Sequence, residues 1–136
     1  MARILAIDYG LKRCGIAVTD PLQMIASPLT TLETGSLRTF LEQYVQDQEV
    51  ACFVLGAPYS LSGQTQPMLI EVKKLKNRLQ QIFPSIPVIL EDERYTSKMA
   101  AQTLIDAGLK KKARKDKGKL DAVSAALILQ SYLESK

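Results

Sequence analysis

Residues 3–20 read "RILAIDYGLKRCGIAVTD". Two apolar runs rich in β-branched residues, Arg3 to Tyr9 and Cys14 to Asp20, flank a short turn at Gly10, and Pro21 closes the second. That pattern predicts a β-hairpin. A third run, Ile25 to Glu33, extends it, and Pro28 points to an edge position because proline cannot donate to a central ladder. One residue breaks the apolar pattern. Asp8 places a carboxylate inside the first strand, and a buried, unpaired carboxylate is costly.

Beyond Glu33 the period changes. Leu37, Phe40, Leu41, Tyr44 and Val45 recur at helical spacing, with Ser36 as a plausible N-cap. "VACFVLGAP" (residues 50–58) is continuously apolar, as a strand buried on both faces should be. The loop "YSLSGQTQ" follows, and then Met68, Val72, Leu75, Leu79 and Ile82 mark a second helix. "IPVILE" is a fifth strand. Thr96 or Ser97 can cap a further helix through Ala107, ended by Gly108. "LDAVSAALILQSYL" forms a last helix, apolar nearly all round and therefore buried. The order β-β-β-α-β-α-β-α-α implies an α/β fold, with three antiparallel strands followed by largely parallel ones and helices on both faces. No linker or repeat interrupts it, so residues 1–136 are expected to form one domain.

Composition narrows the chemistry. The chain has 136 residues, 46% hydrophobic and 24% charged, which fits an ordinary globular protein. No apolar run reaches the roughly 20 residues that span a membrane, and "MARILAIDYG" lacks the layout of a signal peptide. The expected location is cytoplasmic, with no membrane partner. Cys14 and Cys52 both lie in apolar runs and are expected to be reduced core thiols. There is no histidine. A Ser-His-Asp triad, a His-paired cysteine and a His-ligated metal are thereby excluded. Hydrolytic chemistry here must use carboxylates, lysines, hydroxyls or a hard cation held by oxygen.

The net charge of +4 is unevenly spread. "KKKARKDKGK" (residues 110–119) holds seven of the 18 basic residues and one of the 14 acidic ones. Such a segment is either a solvated loop or a footprint for a phosphate backbone. Lys12 and Arg13, on the hairpin turn beside Gly10, add a second basic point.

Three acids form the candidate site. Asp8 lies near the carboxyl end of the first strand, and Glu93 lies just past the carboxyl end of the fifth, in "VILEDERYTS". Open parallel sheets build their sites at that edge. Asp121 is expected in the first turn of the last helix, where an acid also gains about 0.3–1 kcal/mol from the helix dipole. Clustered carboxylates repel, and a divalent cation cancels the repulsion. Magnesium prefers oxygen ligands, and such ions can cleave phosphodiesters without histidine.

"AIDYGLKRCGIAV", "LGAPYSLSG", "EDERYTS" and "KGKLDAVSAALILQSYL" together resemble the YqgF family across essentially the whole chain. That family has been described both as Holliday junction resolvases and as pre-16S ribosomal RNA nucleases. The resemblance implies a ribonuclease H-like fold, a five-stranded mixed sheet with its first three strands antiparallel, flanked by helices. It implies a nuclease dependent on Mg2+ or Mn2+, acting in maturation of the 5′ end of small-subunit ribosomal RNA. Carried over by motif, Asp8, Glu93 and Asp121 would be the catalytic, metal-holding acids. Arg94 would meet a phosphate oxygen unless it pairs with Glu91 or Asp92. Thr96 would contact substrate unless it serves as an N-cap. Lys117 and Lys119 would guide nucleic acid towards Asp121, with Lys12 and Arg13 on the turn. One departure stands out: "LGAP" at the end of the fourth strand carries no carboxylate, so Glu93 must supply it.

The partner expected is nucleic acid, with precursor ribosomal RNA favoured over a DNA junction, and the protein is expected as a monomer or weak homodimer. Two other classes remain open on the residues alone. In a non-catalytic ribosome assembly factor the basic segment would bind RNA and the acids would be relics. In a nucleotide-binding module, Asp-x-Gly before a basic turn would be a phosphate loop like that of actin-like ATPases, although those proteins are larger and carry a second domain.

Overall fold

The computed structural model describes residues 2–58, 67–92 and 117–135, with backbone only for 117–120. Five strands form one sheet: β1 (Arg3–Tyr9), β2 (Arg13–Thr19), β3 (Ala26–Glu33), β4 (Val50–Ala57) and β5 (Val88–Asp92), in the order β3-β2-β1-β4-β5. β2 pairs antiparallel with both β1 and β3, whereas β4 is parallel to β1 and to β5. The five-stranded mixed sheet expected of a ribonuclease H-like fold is therefore present. β3 is an edge strand, as Pro28 implied. Its register slips between Ile16 and Ala17, whose partners are Thr30 and Pro28, leaving Leu29 as the extra residue of a bulge.

Strand alternation sorts the apolar residues into two cores. Leu5 and Ile7 of β1 join Phe53, Leu55, Val72, Leu75 and Leu79 on one side of the sheet. That side is covered by α1 (Leu37–Asp47) and α2 (Pro67–Ile82). Ile4 and Ala6 join Cys52, Val54, Ala125, Ala126, Ile128 and Leu129 on the other side, beneath α3 (Lys117–Ser135). Cys14 belongs to the first core and Cys52 to the second, and neither forms a disulfide. Among the described residues no helix is long and apolar enough to cross a membrane.

Two local expectations need correction. Ser36 does occupy the N-cap position of α1, but its side chain makes no capping hydrogen bond. A 3₁₀ turn over Thr34–Ser36 precedes the helix and leaves Ser36 with φ −94° and ψ −3°, not the extended backbone a cap needs. The last helix begins at Lys117 rather than Leu120. Lys117 and Lys119 therefore belong to a helix and not to the basic loop, and Asp121 lies past the first turn. A dipole effect fades beyond that turn, so it gives Asp121 little reason to be an acid. The helix expected between Thr96 and Ala107 falls outside the described residues.

α3 sits on the sheet at contact distance with backbone against backbone. A Cβ placed on Gly15 of β2 would overlap the main-chain carbonyl of Asp121, and Ala122 N would be 2.8 Å away. Two buried polar side chains hold the far end of the helix in place. Gln130 Oε1 accepts from Ala26 N at 3.3 Å, and Ser131 Oγ donates to Glu91 Oε1 at 3.4 Å. Gly15→Ala is expected to cost at least about 2 kcal/mol, because a helix backbone must move to admit the methyl group. A Cβ on Gly35 meets nothing within 4 Å, so Gly35→Ala should be near neutral. Chemical denaturation of both variants checks this, and equal midpoints would refute the close contact.

Candidate active site

The alternation that builds the two cores also aims Asp8. It follows Ile4 and Ala6 on the α3 face, at the carboxyl end of β1, where the apolar stripe has run out. Its antiparallel partner is Gly15, the residue on which the Asp121 backbone rests. One contact thus brings the two acids together from sequence positions over 100 residues apart. The carboxyl group of Asp8 is pushed up to about 6, first by burial and second by the negative charge of Asp121.

Asp121 is no better satisfied. Arg13 Nε lies 3.1 Å from its Oδ2, in an ion pair whose side chains are 47% and 30% exposed. The approach is not aligned as a hydrogen bond, and Oδ2 is buried without any hydrogen-bond donor. A desolvated carboxyl group beside a carboxylate whose buried oxygen has an ion pair but no hydrogen bond suits a small divalent cation with oxygen ligands. Among the described residues, no three potential ligands converge on one point. Asp8 and Asp121 are a pair, and a third ligand must come from elsewhere.

Among the described residues, Glu91 is a further acid on this face. Ile7 pairs with Leu55 and Gly56 pairs with Glu91. Asp8, Gly56 and Glu91 therefore share a row across three strands, with no side chain at Gly56 to separate them. At about 4.8 Å per strand, Glu91 stands roughly 10 Å from Asp8, too far to share one ion. Its carboxyl group is raised by burial, an effect opposed by the Ser131 hydrogen bond and assisted by Asp92. Glu93 lies two residues beyond Glu91 and outside the described residues, as do Arg94 and Thr96. Lys117 and Lys119 start α3, on the approach to Asp121, with their side chains outside the described part.

The basic turn is built with care. A Cβ on Gly10 would lie 2.6 Å from Arg13 O, so the turn needs a glycine. Thr34 pins it from the end of β3: Thr34 Oγ1 donates to Gly10 O at 2.6 Å, and Thr34 N donates to Lys12 O at 3.0 Å. Lys12 is exposed there. Arg13 leans on Asp121 and offsets its charge. Gly15, Thr34 and Glu91 were not singled out from the sequence. Gly15 could have been, because folding the hairpin about its turn sets it opposite Asp8.

A mixed sheet of this order is that of a ribonuclease H-like fold, and here two acids meet at the carboxyl end of its first strand and on the covering helix. A family model described as "RuvX: Holliday junction resolvase" matches residues 2–135. Proteins named "Putative pre-16S rRNA nuclease" from Amoebophilus asiaticus and Porphyromonas gingivalis are 49% and 48% identical, covering 99% of this chain and 96% and 98% of theirs. The chain belongs to the RuvX, or YqgF, family, and it is a hydrolase acting on phosphodiester bonds. Among solved structures, Thermus thermophilus RuvC in complex with a Holliday junction substrate matches with a TM-score of 0.64. That match covers 99% of this chain and 96% of RuvC at 18% identity, a likeness of fold.

Asp8 carries a stability cost that its titration makes visible. A folded-state value near 6 lies above the ordinary 3.8. The folded state therefore holds the proton more tightly, and the contribution of Asp8 to stability is fully present below about pH 4 and is lost as pH rises through 6. Asp8→Asn should stabilise the metal-free protein by roughly 2–3 kcal/mol at pH 7.5, with the gain vanishing near pH 4. Urea unfolding of both proteins with chelator across that range reads the difference. A gain independent of pH would show that Asp8 is not held at this cost.

Proposed function

We propose that the protein is a metal-dependent endonuclease for precursor 16S ribosomal RNA, with its cut serving maturation of the 5′ end. The observation that carries this reading is the approach of Asp8 and Asp121 across Gly15, with one carboxyl group desolvated and the other holding a buried oxygen that has an ion pair but no hydrogen bond. Structure alone would seldom favour that arrangement, and a cation relieves it. The names of the relatives support the choice of ribosomal RNA.

Asp8 and Asp121 would hold Mg2+ or Mn2+, with Glu93 as the third carboxylate. When bound, the ion supplies Lewis acidity for water activation and offsets charge on the leaving oxygen. The chain's own residues do the rest. Asp8 must be ionised to act, which sets a lower pH limit. Arg13 releases Asp121 in part and pairs with the scissile phosphate, its fork suited to two oxygens. Lys12 on the pinned turn, Lys117 and Lys119 at the start of α3, and Arg94 and Thr96 after β5 would bind the flanking backbone. The domain is a single unit over residues 1–136 in this reading, working as a monomer or weak dimer in the cytoplasm.

The matching RuvC complex and the family description favour a second reading, in which the same acids cut a four-way DNA junction. Cleavage of a precursor ribosomal RNA fragment and a DNA junction, side by side with Mg2+, Mn2+ or chelator, separates the two. RNA cutting is expected with either ion and is expected to fall about 100-fold or more in Asp8→Asn. Junction cutting alone would select the second reading. RNA bound equally by both proteins but never cut would indicate an assembly factor.

A further inference from the structure

Tyr9 follows Asp8 on β1 and, by alternation, faces the opposite side of the sheet. There it borders a hollow of about 330 Å³ between α1 and α2, within the range of small-ligand sites. Leu37, Leu75, Leu79 and Ile82 form its apolar walls, and Arg38 and Arg78 stand at its rim. Arg78 Nη2 donates to Tyr9 Oη at 3.4 Å, which steadies the ring. Arg38 is engaged by Glu42 across 3.7 Å on an exposed helix face, a pairing weak enough to yield to a phosphate.

This hollow does not stand alone. A second, open one of about 670 Å³ runs along the basic turn past Leu11, Lys12 and Arg13. Thr34 and Gly35 line both. Gly35 is the saddle between them, and a Cβ there would meet nothing within 4 Å. The two hollows therefore join at Thr34 and Gly35, running from the basic turn whose Arg13 pairs with Asp121 to an apolar hollow with an aromatic ring and two guanidinium groups.

We propose that the Tyr9 hollow is a subsite for one unpaired nucleotide of the substrate strand, entered over Gly35 from the basic turn. Apolar walls and the Tyr9 ring suit the faces of a base, and Arg38 and Arg78 suit the phosphates either side of it. Lys12 and Arg13 on the turn and Arg38 and Arg78 at the hollow, against Glu33 as the one acid among the lining residues, favour a phosphate-bearing strand over an acidic peptide helix, and the apolar walls favour its base. A paired base cannot enter without leaving its duplex, so the subsite makes the enzyme prefer a cut beside single-stranded sequence. The inference rests on the nuclease reading for the identity of the strand, and adds a specificity determinant on the face opposite the acids.

The test uses full-length Asp8→Asn protein, short single strands of RNA and of DNA carrying one photoreactive thiopyrimidine, and the matching duplexes. Cross-links are expected on peptides containing Tyr9 or residues 75–82, from single strands only. Gly35→Phe should close the saddle and weaken single-strand binding about 10-fold, the scale of one lost base stack. Arg38→Ala with Arg78→Ala, both on exposed positions, should weaken it similarly and serves if Gly35→Phe unfolds. Cross-links confined to the basic turn and α3, undiminished binding in both variants, or equal cross-linking by duplex would overturn the subsite. The nuclease reading fails separately, by absence of metal-dependent cutting in the parent protein.

Discussion

The site depends on the contact of α3 with the sheet at Gly15. Main chain meets main chain there because β2 offers no side chain opposite Asp8. A methyl group at that position would push the helix away, and Asp121 would leave Asp8 with it. The apolar cores above and below are generic in kind, since many sequences fill such spaces. The missing side chain is specific, because it sets the distance between two acids brought from opposite ends of the chain. Gln130 and Ser131 then fix the rotation of α3 by hydrogen bonds to β3 and β5.

What the contact assembles is unfavourable on its own terms. Burial and a neighbouring negative charge both raise the Asp8 carboxyl group, and Arg13 compensates Asp121 without completing a hydrogen bond. Sites of this kind cost stability for the sake of function. The compensation is also placed to be given up, since Arg13 sits at the end of a turn held by Gly10 and Thr34 and is half exposed. Basic turn, guanidinium and acids thus share one neighbourhood.

Much of this was legible in the sequence, for identifiable reasons. The hairpin, the edge strand and the two amphipathic helices follow from periods of two and of 3.6, which survive packing. Asp8 was visible because it interrupts an apolar strand. Asp121 was visible only beside the others, and for an inexact reason, since the helix starts earlier than its apolar run. Lys117 and Lys119 read as loop because the basic run and Gly118 hid a helical start, although Asp116 is of a residue type that favours the cap position. Glu91 was passed over because alternation matters only once the faces of β5 are known. Gly15 acts through backbone geometry and Thr34 through a hydroxyl that reaches a turn distant in sequence, and composition is silent on both. Glu93, Arg94 and Thr96 rest on motif, without structural description here.

Asp8 and Asp121 are proposed to form one cation site. Titration with Mn2+, followed by its paramagnetic resonance signal, measures that directly and without a substrate. Saturable binding is predicted for the parent protein, with loss in Asp8→Asn and in Asp121→Asn. Retention of the same affinity in both variants would contradict the account, because the two acids would then be paired for reasons other than a metal.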